Sequence, residues 1–412
     1  MSILLMNLFI NVIIKEKYYI LERIIMKRIE NIDLKNKKVL IRVDFNVPLD
    51  KELNIVDDNR IRESLQTINY CLDNNCKIIL MSHLGKIKSE EDLEKNSLKP
   101  VAKRLGELLN KEIIFVPEVR GEKVNKAVNN MKEKDIVLLE NTRFLDLNGK
   151  LESGCDEELS KYFASLADIF INDAFGTCHR AHASNVGVSK YIKESCLGFL
   201  VLKEIDNLMP VVNNPKHPFI VIMGGAKISD KIGVIENLIK KADYILVGGG
   251  MAYTFLKAKG EEIGKSLLDS ESLDFAKEML EKTNKIILPV DHITSLDMES
   301  NNYQIKEKLD SNDYGLDIGP KTIELFKSYL ENSKTIFWNG PMGYYENEIY
   351  QKGTKEICEI ISKLEATSVV GGGDSASCVI NLGYKDKFTH VSTGGGASLE
   401  LLEGKELPGI NI

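Results

Sequence analysis

Short runs rich in isoleucine, valine and leucine recur from about residue 38, and each is followed by a longer segment of helical character. This alternation predicts strands and helices in turn. The runs cover 39–43, 77–81, 112–116, 135–139 and 168–172 in the first half, and 219–223, 244–248, 285–289, 335–338, 367–371 and 388–392 in the second. Because the runs are continuously apolar, they predict strands buried on both faces, as in parallel sheets covered by helices.

The length of the chain favours two domains. A chain of 412 residues with 43% hydrophobic content exceeds one ordinary core. The segment 198–218 has helical character until Asn213-Asn214-Pro215 ends it. We therefore predict an α/β fold of two doubly wound, mostly parallel-sheet (Rossmann-like) domains joined by a helical hinge. The predicted parts are an N-terminal domain at 26–197, a hinge at 198–215, a C-terminal domain at 216–395 and a tail at 396–412 that returns to the N-terminal domain.

The first 25 residues fall outside this pattern. Residues 1–14 are apolar, but Asn7 and Asn11 interrupt them and a charged stretch follows. The segment is too short to span a bilayer. It lacks the basic start and small-residue cleavage site of a secretory signal. Met26, followed by two basic residues, resembles an alternative start, so we treat 1–25 as an N-terminal extension of unknown structure.

Charge and cysteine usage narrow the functional classes. A formal net charge of -7 disfavours a nucleic-acid or membrane-surface binder, since such proteins carry a basic excess. The seven cysteines include no C-x-x-C pair, and their odd number argues against a disulfide framework. We expect a cytoplasmic protein whose anionic ligand binds in a local basic pocket.

The residues that follow the predicted strands differ between the two halves. First-half strands lead into charged and hydrogen-bonding segments: DFN (44–46), SHLGK (82–86), ENTRF (140–144) and NDAFGTCHRAH (172–182). Second-half strands lead into glycine: MGGAK (223–227), GGGM (248–251), WNGPMG (338–343), GGGDS (371–375) and STGGG (392–396). Ligands of open α/β sheets bind beyond the carboxyl ends of the strands. The first half therefore predicts a site for a small anion, and the second predicts backbone contact with phosphates.

Glycine at a strand-to-helix turn lets the backbone approach a ligand, and the free N–H groups favour phosphate oxygens. A single glycine pair more often marks a tight turn, but five such turns in one half favour the phosphate site. Two known motifs fit less well. The segment 260–266 approaches a P-loop, yet only three residues separate Gly260 from Gly264. The segment 371–376 meets a loose dinucleotide pattern, but 388–396 offers no acidic residue for a ribose.

Three polar residues of the second half are candidates for nucleotide chemistry. Asp374 follows the triple glycine, where its carboxylate could reach Mg²⁺ on nucleotide phosphates or cap a helix. Lys227 and Lys231 are four residues apart and would project from one helix face. Exposed lysines are usually solvated, but Lys227 comes directly after a strand-end glycine pair.

The first half supplies cationic candidates. Arg143, Arg180 and His83 come after predicted strands, so folding would gather them at one edge of a sheet. Arg60 instead precedes a predicted helix, so the same rule does not predict where it lies. Arginine donates a fork of hydrogen bonds that suits carboxylate and phosphate. For any single arginine a surface ion pair is the commoner explanation.

Two other chemistries have weaker support. Cys178, His179 and His182, with the more distant His83, raise the possibility of zinc, but no sequence partner completes a ligand set. Ser-His-Asp hydrolysis lacks a G-x-S-x-G nucleophile elbow.

Eight motifs, taken together and in order, resemble the phosphoglycerate kinase family from Met26 to Ile412. They are RVDFNVP (42–48), SHLG (82–85), ENTRF (140–144), NDAFGTCHRAH (172–182), GGAKISDKI (224–232), FWNGPMG (337–343), GGGDS (371–375) and STGGGASLELLEGKELPG (392–409). The resemblance implies Mg²⁺-dependent, reversible phosphoryl transfer from 1,3-bisphosphoglycerate to ADP in glycolysis. It also implies a monomer that binds neither nucleic acid nor membrane.

The resemblance also implies roles for individual residues. The acid-substrate site would comprise Asp44, Phe45, Asn46, Arg60, His83, Leu84, Gly85, Lys86, Arg143 and Arg180. The nucleotide site would comprise Lys227, Lys231, Gly319, Glu346, Gly372, Gly373, Asp374 and Ser375, with Asp374 near the metal. The groups closest to the transferring phosphoryl would be Arg60, Lys227, Gly373 and Gly396.

One departure from the family pattern is at residues 86 and 87, where Lys86-Ile87 stands in place of the usual Arg-Pro. Lysine keeps the charge but loses the bidentate fork, so we expect a weaker phosphate contact there. Two half-sites on separate domains imply domain closure, with hinges near 198–215 and close to residue 395. A nicotinamide dehydrogenase and a non-catalytic nucleotide-binding protein remain the alternatives at this stage.

Overall fold

The computed structural model describes residues 26–412, so the predicted extension at 1–25 lies outside the described residues. The chain divides into two compact units. The first contains the described residues up to Lys203 together with Leu407–Ile412, and the second is Glu204–Glu406. Residues 396–406, which the sequence assigned to the returning tail, therefore cluster with the second unit.

The first unit is built on a six-stranded parallel sheet. Its strands are β1 (Lys38–Val43), β2 (Lys77–Met81), β3 (Ile114–Val116), β4 (Ile136–Leu139), β5 (Ile169–Asp173) and β6 (Glu194–Leu197). Its helices are α1 (Asn59–Asp73), α2 (Glu91–Lys95), α3 (Lys99–Leu109), α4 (Glu122–Asn129) and α5 (Glu157–Ser165). The strand order is β3-β4-β2-β1-β5-β6. The direction in which successive strands are added to the sheet therefore reverses between β1 and β5. Such a reversal is where open α/β sheets bind ligands.

Burial explains why the first sheet forms. Leu40, Ile79, Val137 and Phe170 on four of its strands are fully buried in one cluster. The helices begin at defined residues; for example, the Asp156 carboxylate caps α5 by accepting a hydrogen bond from a backbone N–H of its first turn at 2.8 Å. Strand β6 was not predicted, because its four residues include only two apolar side chains.

The second unit repeats the parallel architecture. Its strands are β7 (Phe219–Met223), β8 (Tyr244–Val247), β9 (Ile286–Ile287), β10 (His292–Ser295), β11 (Gln304–Lys306), β12 (Tyr314–Ile318), β13 (Thr335–Asn339), β14 (Thr367–Val370) and β15 (His390–Val391). The main sheet is parallel with the order β15-β14-β13-β7-β8-β9, and its reversal lies between β7 and β13. Both units are thus doubly wound, as the sequence predicts.

A small sheet of the order β11-β10-β12 adds antiparallel pairing that was not predicted. In β11 the residues Gln304 and Ile305 are exposed and Lys306 is half-buried. A strand with little burial has no continuous apolar run by which to recognise it.

The helices of the second unit cover this sheet. They are α7 (Ile232–Leu238), α8 (Met251–Ala258), α9 (Leu273–Lys282), α10 (Pro320–Leu330), α11 (Lys352–Ile361), α12 (Gly373–Asn381) and α13 (Gly396–Leu402). Trp338, Phe326 and Ile357 are buried together in its core. None of the helices in 26–412 is long and apolar enough to cross a membrane.

Helix α6 (Phe199–Asn213) lies where the sequence predicts a helix that ends at Asn213. The division between the units falls inside it, between Lys203 and Glu204. Its first turn is capped by the carboxylate of Asp173, which accepts hydrogen bonds from the backbone N–H groups of Leu200 at 2.8 Å and Val201 at 3.4 Å. The hinge role of this helix remains a prediction.

Candidate active site

The segment after β1 brings a carboxylate and an arginine together. Asp44 is the first residue after β1, and Arg60 is the second residue of α1. The Nη1 atom of Arg60 donates to Oδ2 of Asp44. Burial alone would raise the pKa of Asp44, but the charges of Arg60 and Arg42 help to hold that pKa below its ordinary value. The structure therefore places the Arg60 side chain against the end of β1, which the positions of the predicted strands could not indicate.

Hydrogen bonds join the segments that follow β1, β2 and β4. The side chain of Asn46 accepts from the backbone N–H of Gly85 at 2.8 Å. The Nη1 atom of Arg143 donates to the Gly85 carbonyl at 2.7 Å. Asn46, Gly85 and Arg143, all predicted as substrate contacts, are thus held in one connected group.

Two predicted substrate contacts have buried side chains. Phe45 is fully buried, and its backbone N–H donates to the Ser82 hydroxyl at 2.8 Å. Leu84 is 2% exposed, and its carbonyl accepts from the Asn141 amide at 2.7 Å. Their side chains therefore pack in the core. Any contribution to a ligand would come from the position of the backbone.

The electrostatic neighbours of two histidines show that the arginines gather. Burial lowers the pKa of His83 well below its ordinary value, and Arg42, Arg143 and Arg60 lower it further while Asp44 opposes them. Burial lowers the pKa of His182 to about 3, and Arg42, Arg143 and Arg180 add to the shift.

Mutual repulsion among the arginines is also evident. The pKa of Arg143 is lowered, first by burial and then by Arg180 and Arg42. Cations held close enough to destabilise one another create a strong local preference for an anion. This cluster, defined as Arg42, Arg60, Arg143 and Arg180, is called the arginine cluster below.

Sequence reasoning missed Arg42 of this cluster. Arg42 lies on β1 and is 1% exposed, within the otherwise apolar run VLIRV. A lone arginine in a strand predicted to be buried on both faces is a signal that could have identified it, because arginine is almost never fully buried unless paired.

Two further predicted contacts remain solvent-facing. Lys86 and Arg180 are both exposed, at the end of the β2 segment and in the segment that follows β5. Arg180 sits seven residues beyond the end of β5, but its effect on Arg143 brings it into the cluster. Across 26–412, no group of three or more His, Cys, Asp or Glu side chains could hold a metal ion.

In the second unit the glycine segments hydrogen-bond to one another at the carboxyl end of the main sheet. The backbone N–H of Gly225 donates to the Pro341 carbonyl at 2.8 Å. That of Gly249 donates to the Met342 carbonyl at 2.8 Å. The segments after β7, β8 and β13 are thus joined through backbone groups, as the repeated strand-end glycines suggest.

Gly340 shows why glycine is required here. Its φ is +93°, in the left-handed region that favours glycine. A Cβ atom at this position would lie 2.2 Å from the Gly224 carbonyl oxygen and 2.6 Å from Lys231 Nζ. No side chain fits without displacing the neighbouring segment.

The predicted lysines occupy different environments. Lys227 is exposed, and its charge lies near enough to Asp269 to help lower the pKa of that carboxylate, although burial opposes the shift. Lys231 Nζ donates to the Gly224 carbonyl. Burial lowers the pKa of Lys231 to about 8, opposed by the charges of Asp374 and Asp230. Asp374, an exposed residue in the first turn of α12, is therefore within electrostatic reach of Lys231.

Helix α12 begins at the predicted phosphate turn. Gly372 precedes the helix with a φ of +90°, and a Cβ at Gly373 would meet no atom within 4 Å, so the start of the helix is open. Ser375 is buried, and its hydroxyl accepts from the backbone N–H of Gly340. Gly396 is the exposed first residue of α13.

The remaining predicted nucleotide contacts stand apart from these hydrogen bonds. Gly319 is buried before α10, where its N–H donates to the Asp291 carbonyl at 2.9 Å. Glu346 is exposed and, with Asp374, raises the pKa of Cys378 after the larger effect of burial. Asn339, which the sequence reasoning missed, ends β13 and donates through its side chain to the Gly371 carbonyl at 2.7 Å.

The P-loop alternative does not fit the structure. Gly264 lies between α8 and α9 rather than after a strand. A Cβ there would meet the Asp313 carbonyl at 2.3 Å, because the segment packs tightly against other backbone rather than lying open.

Comparisons with known proteins point to one family over most of the chain. The family model described as phosphoglycerate kinase matches residues 29–405. The chain is 56% identical over 392 residues to phosphoglycerate kinase of Fusobacterium nucleatum, covering 93% of this chain and 98% of that protein. It is also 56% identical over 389 residues to that of Enterococcus faecalis, with the same coverage. The solved structure of phosphoglycerate kinase from Coxiella burnetii matches with a TM-score of 0.83 and 38% identity, covering 93% of this chain and 98% of that one.

Proposed function

Since the chain belongs to the phosphoglycerate kinase family, we propose that its arginine cluster binds the phosphorylated acid and that its glycine segments bind the nucleotide. The chain is a phosphotransferase with a carboxyl group as acceptor. It catalyses reversible phosphoryl transfer from 1,3-bisphosphoglycerate to ADP, giving 3-phosphoglycerate and ATP, in glycolysis.

The arginine cluster is the observation that supports the acid site. It combines Arg60, Arg143 and Arg180 with hydrogen-bonding groups of Asn46 and Gly85 at the carboxyl end of the first sheet. The substrate carries a phosphate and a carboxylate, and forked arginine donors suit both groups. Lys86 extends this set with a single cation that lacks the fork.

The nucleotide site is supported by the open backbone of the second unit. Gly372, Gly373 and Ser375 form the start of α12, whose N–H groups and dipole favour phosphate oxygens. Lys231 adds a cation that donates to the Gly224 carbonyl and lies within electrostatic reach of Asp374, and Lys227 comes four residues before it. We assign Gly396, at the start of α13, a similar donor role, and we place Gly319 and Glu346 at the rim of the site.

The residues present fit a magnesium ion that arrives with the nucleotide. Mg²⁺ is usually held by one or two carboxylates plus substrate phosphates and keeps several waters. Asp374 supplies one exposed carboxylate next to the open start of α12. The ion would neutralise phosphate charge when bound.

The chemistry requires positioning rather than a base. In the ATP-consuming direction the nucleophile is a carboxylate, which is ionised at neutral pH because such groups titrate near ~4. The protein must bring two polyanions into line and offset the migrating charge. Arg60 from the acid side and Lys227 from the nucleotide side are the proposed cations for that charge. Transfer also requires the two bound ligands to meet, which we propose occurs by domain closure.

A coupled assay with MgATP and 3-phosphoglycerate tests the function. The intact chain should turn over, whereas Arg60→Ala and Lys227→Ala should lose most of kcat. Arg62→Ala is the matched control, because Arg62 lies on the same helix but pairs with Asp58 through a half-exposed side chain. No turnover by the folded protein would refute the kinase function. Wild-type rates in both variants would refute the assigned roles.

We further propose that the chain is a cytoplasmic monomer that binds neither nucleic acid nor membranes. All seven cysteines lie in the described residues as free thiols, which supports a reducing compartment. Light scattering on the purified chain tests the monomer, with a dimer mass as the contradicting result.

A further inference from the structure

Arg42 makes three directed contacts beneath the acid site. Its Nε donates to the Ser184 hydroxyl at 2.8 Å. Its Nη1 donates to the carbonyl of Val43. Its Nη2 lies 3.2 Å from Nδ1 of His83. The bonds from Nε and Nη1 therefore hold the guanidinium of Arg42 in place while Nη2 faces His83.

The contact with His83 fixes which ring nitrogen carries the proton. A guanidinium can only donate hydrogen bonds, so Nδ1 of His83 must accept. An accepting Nδ1 has no proton, and the ring is then neutral with its proton on Nε2. A charged ring would set two N–H groups against each other.

A buried carboxylate supports the charge of Arg42. Glu152 has no exposed surface. It accepts from the Ser184 backbone N–H at 3.1 Å and from the Ser184 hydroxyl. The Thr142 hydroxyl donates to it at 3.3 Å. The Ser184 hydroxyl thus accepts from Arg42 and donates to Glu152, which links a buried cation to a buried anion that would each be costly alone.

We propose that the series Glu152, Ser184 and Arg42 holds His83 as a neutral ring that donates from Nε2 to the anionic acid substrate. The inference rests on the proposed function of the arginine cluster. It makes Arg42, the buried member of the cluster, and Glu152 positioning residues, because they act on the substrate through His83.

Of the four charged groups that face His83 most strongly, three favour a neutral ring. These groups are Arg42 on β1, Asp44 after β1, Arg60 on α1 and Arg143 after β4. Asp44 alone favours the charged ring, and its Oδ1 is 4.0 Å from Nδ1. An ordinary histidine changes charge between pH ~5 and ~8, whereas this ring should supply the same donor throughout that range.

Nuclear magnetic resonance of the intact chain labelled with ¹⁵N-histidine reads the tautomer directly. The chain has six histidines, and the signals missing from His83→Gln identify His83. We expect a neutral Nε2–H pattern that does not titrate between pH ~5.5 and ~8. A proton on Nδ1, or a ring that titrates normally, overturns the proposal without any need for an Arg42 variant.

Two substitutions test the role of Arg42. Arg42→Met removes the donor, so His83 should titrate or mix tautomers, and KM for 3-phosphoglycerate should rise on the order of tenfold and become pH-dependent. Arg42→Lys keeps a group that only donates, and should restore the Nε2–H ring and most of KM. Arg62→Met, on exposed α1 surface, should change neither readout.

Different results would refute the positioning role of Arg42 and the proposed function. If both Arg42 variants leave the His83 signals as in wild type, the positioning role is refuted even when the enzyme is active. If the Nε2–H pattern is found but the chain does not turn over 3-phosphoglycerate, the proposed function fails and the tautomer assignment survives.

Discussion

Replacing Gly340 by alanine tests the close backbone approach in the glycine segments. Two costs are expected. The first is the left-handed φ of +93°, which for an L-residue costs about 1–2 kcal/mol. The second is the contact at 2.2 Å between the added Cβ and the carbonyl oxygen of Gly224.

Gly383 separates these two costs. Its φ is +79°, and a Cβ there would meet nothing within 4 Å. Gly383→Ala should therefore show only the conformational cost. Overpacking typically adds ~1–3 kcal/mol, so Gly340→Ala should lower the free energy of unfolding by about 2–5 kcal/mol in total.

Urea unfolding and steady-state kinetics measure the outcome. Displacement of the segment around Gly340 should raise KM for MgATP by about tenfold or more, while KM for 3-phosphoglycerate stays near wild type. Equal stability and equal KM for MgATP in Gly340→Ala and Gly383→Ala would show that the contact with Gly224 has no effect.

Three further predictions address other parts of the chain. Lys231 loses its charge as pH rises through its lowered pKa of about 8, so calorimetry should find that MgADP binds more weakly at pH 9 than at pH 7. Lys231→Arg should remove this pH dependence. An equal loss of affinity in that variant would contradict the assignment of Lys231 to the nucleotide site. The pKa of Lys231 is higher in the unfolded chain than in the folded one. The contribution of Lys231 to the free energy of unfolding should therefore increase as pH rises from about 8 towards ~10.4. Asp173→Ala removes the cap of α6 and should lower the free energy of unfolding, measured in urea, by about 1–2 kcal/mol. Asp173→Asn should stay closer to wild type. An equal loss of stability in both variants would count against capping. Lys86→Arg should lower KM for 3-phosphoglycerate by restoring a bidentate donor, and an unchanged KM would count against a weakened phosphate contact at residue 86.

Much of the parallel architecture was predictable because buried strands leave continuous apolar runs. The apolar runs of β1 to β5, and those of β7, β8, β9, β13, β14 and β15, appear as such in the sequence. The antiparallel strand β11 left no such run, because its residues lie largely in solvent. Strand β6 is four residues long and half polar, so its pattern is too short to recognise.

The candidate sites were predictable where residues follow strands directly. His83 and Arg143 could be placed at one edge by that rule. The contact of Arg60 with Asp44 depends on how α1 packs beside β1, which no local pattern encodes. Arg42 was missed because it lies inside a strand rather than after one, and its partners Ser184 and Glu152 are far away in the sequence.

Family resemblance supplied what neither pattern could. The identity of the acid substrate followed from the eight ordered motifs, since arginines alone select only an anion. Gly319 was assigned in the same way. The structure shows it packed against Asp291, so its place at the nucleotide rim stays a proposal.

Separate binding of the two ligands tests the central claim, that the acid binds to the arginine cluster and the nucleotide to the glycine segments. Calorimetry would measure 3-phosphoglycerate and MgADP, each alone, against wild type, Arg143→Ala and Lys231→Ala. We predict that Arg143→Ala weakens only 3-phosphoglycerate and that Lys231→Ala weakens only MgADP. If either variant weakened both ligands equally, or if the pattern were reversed, the division of the two sites would be contradicted.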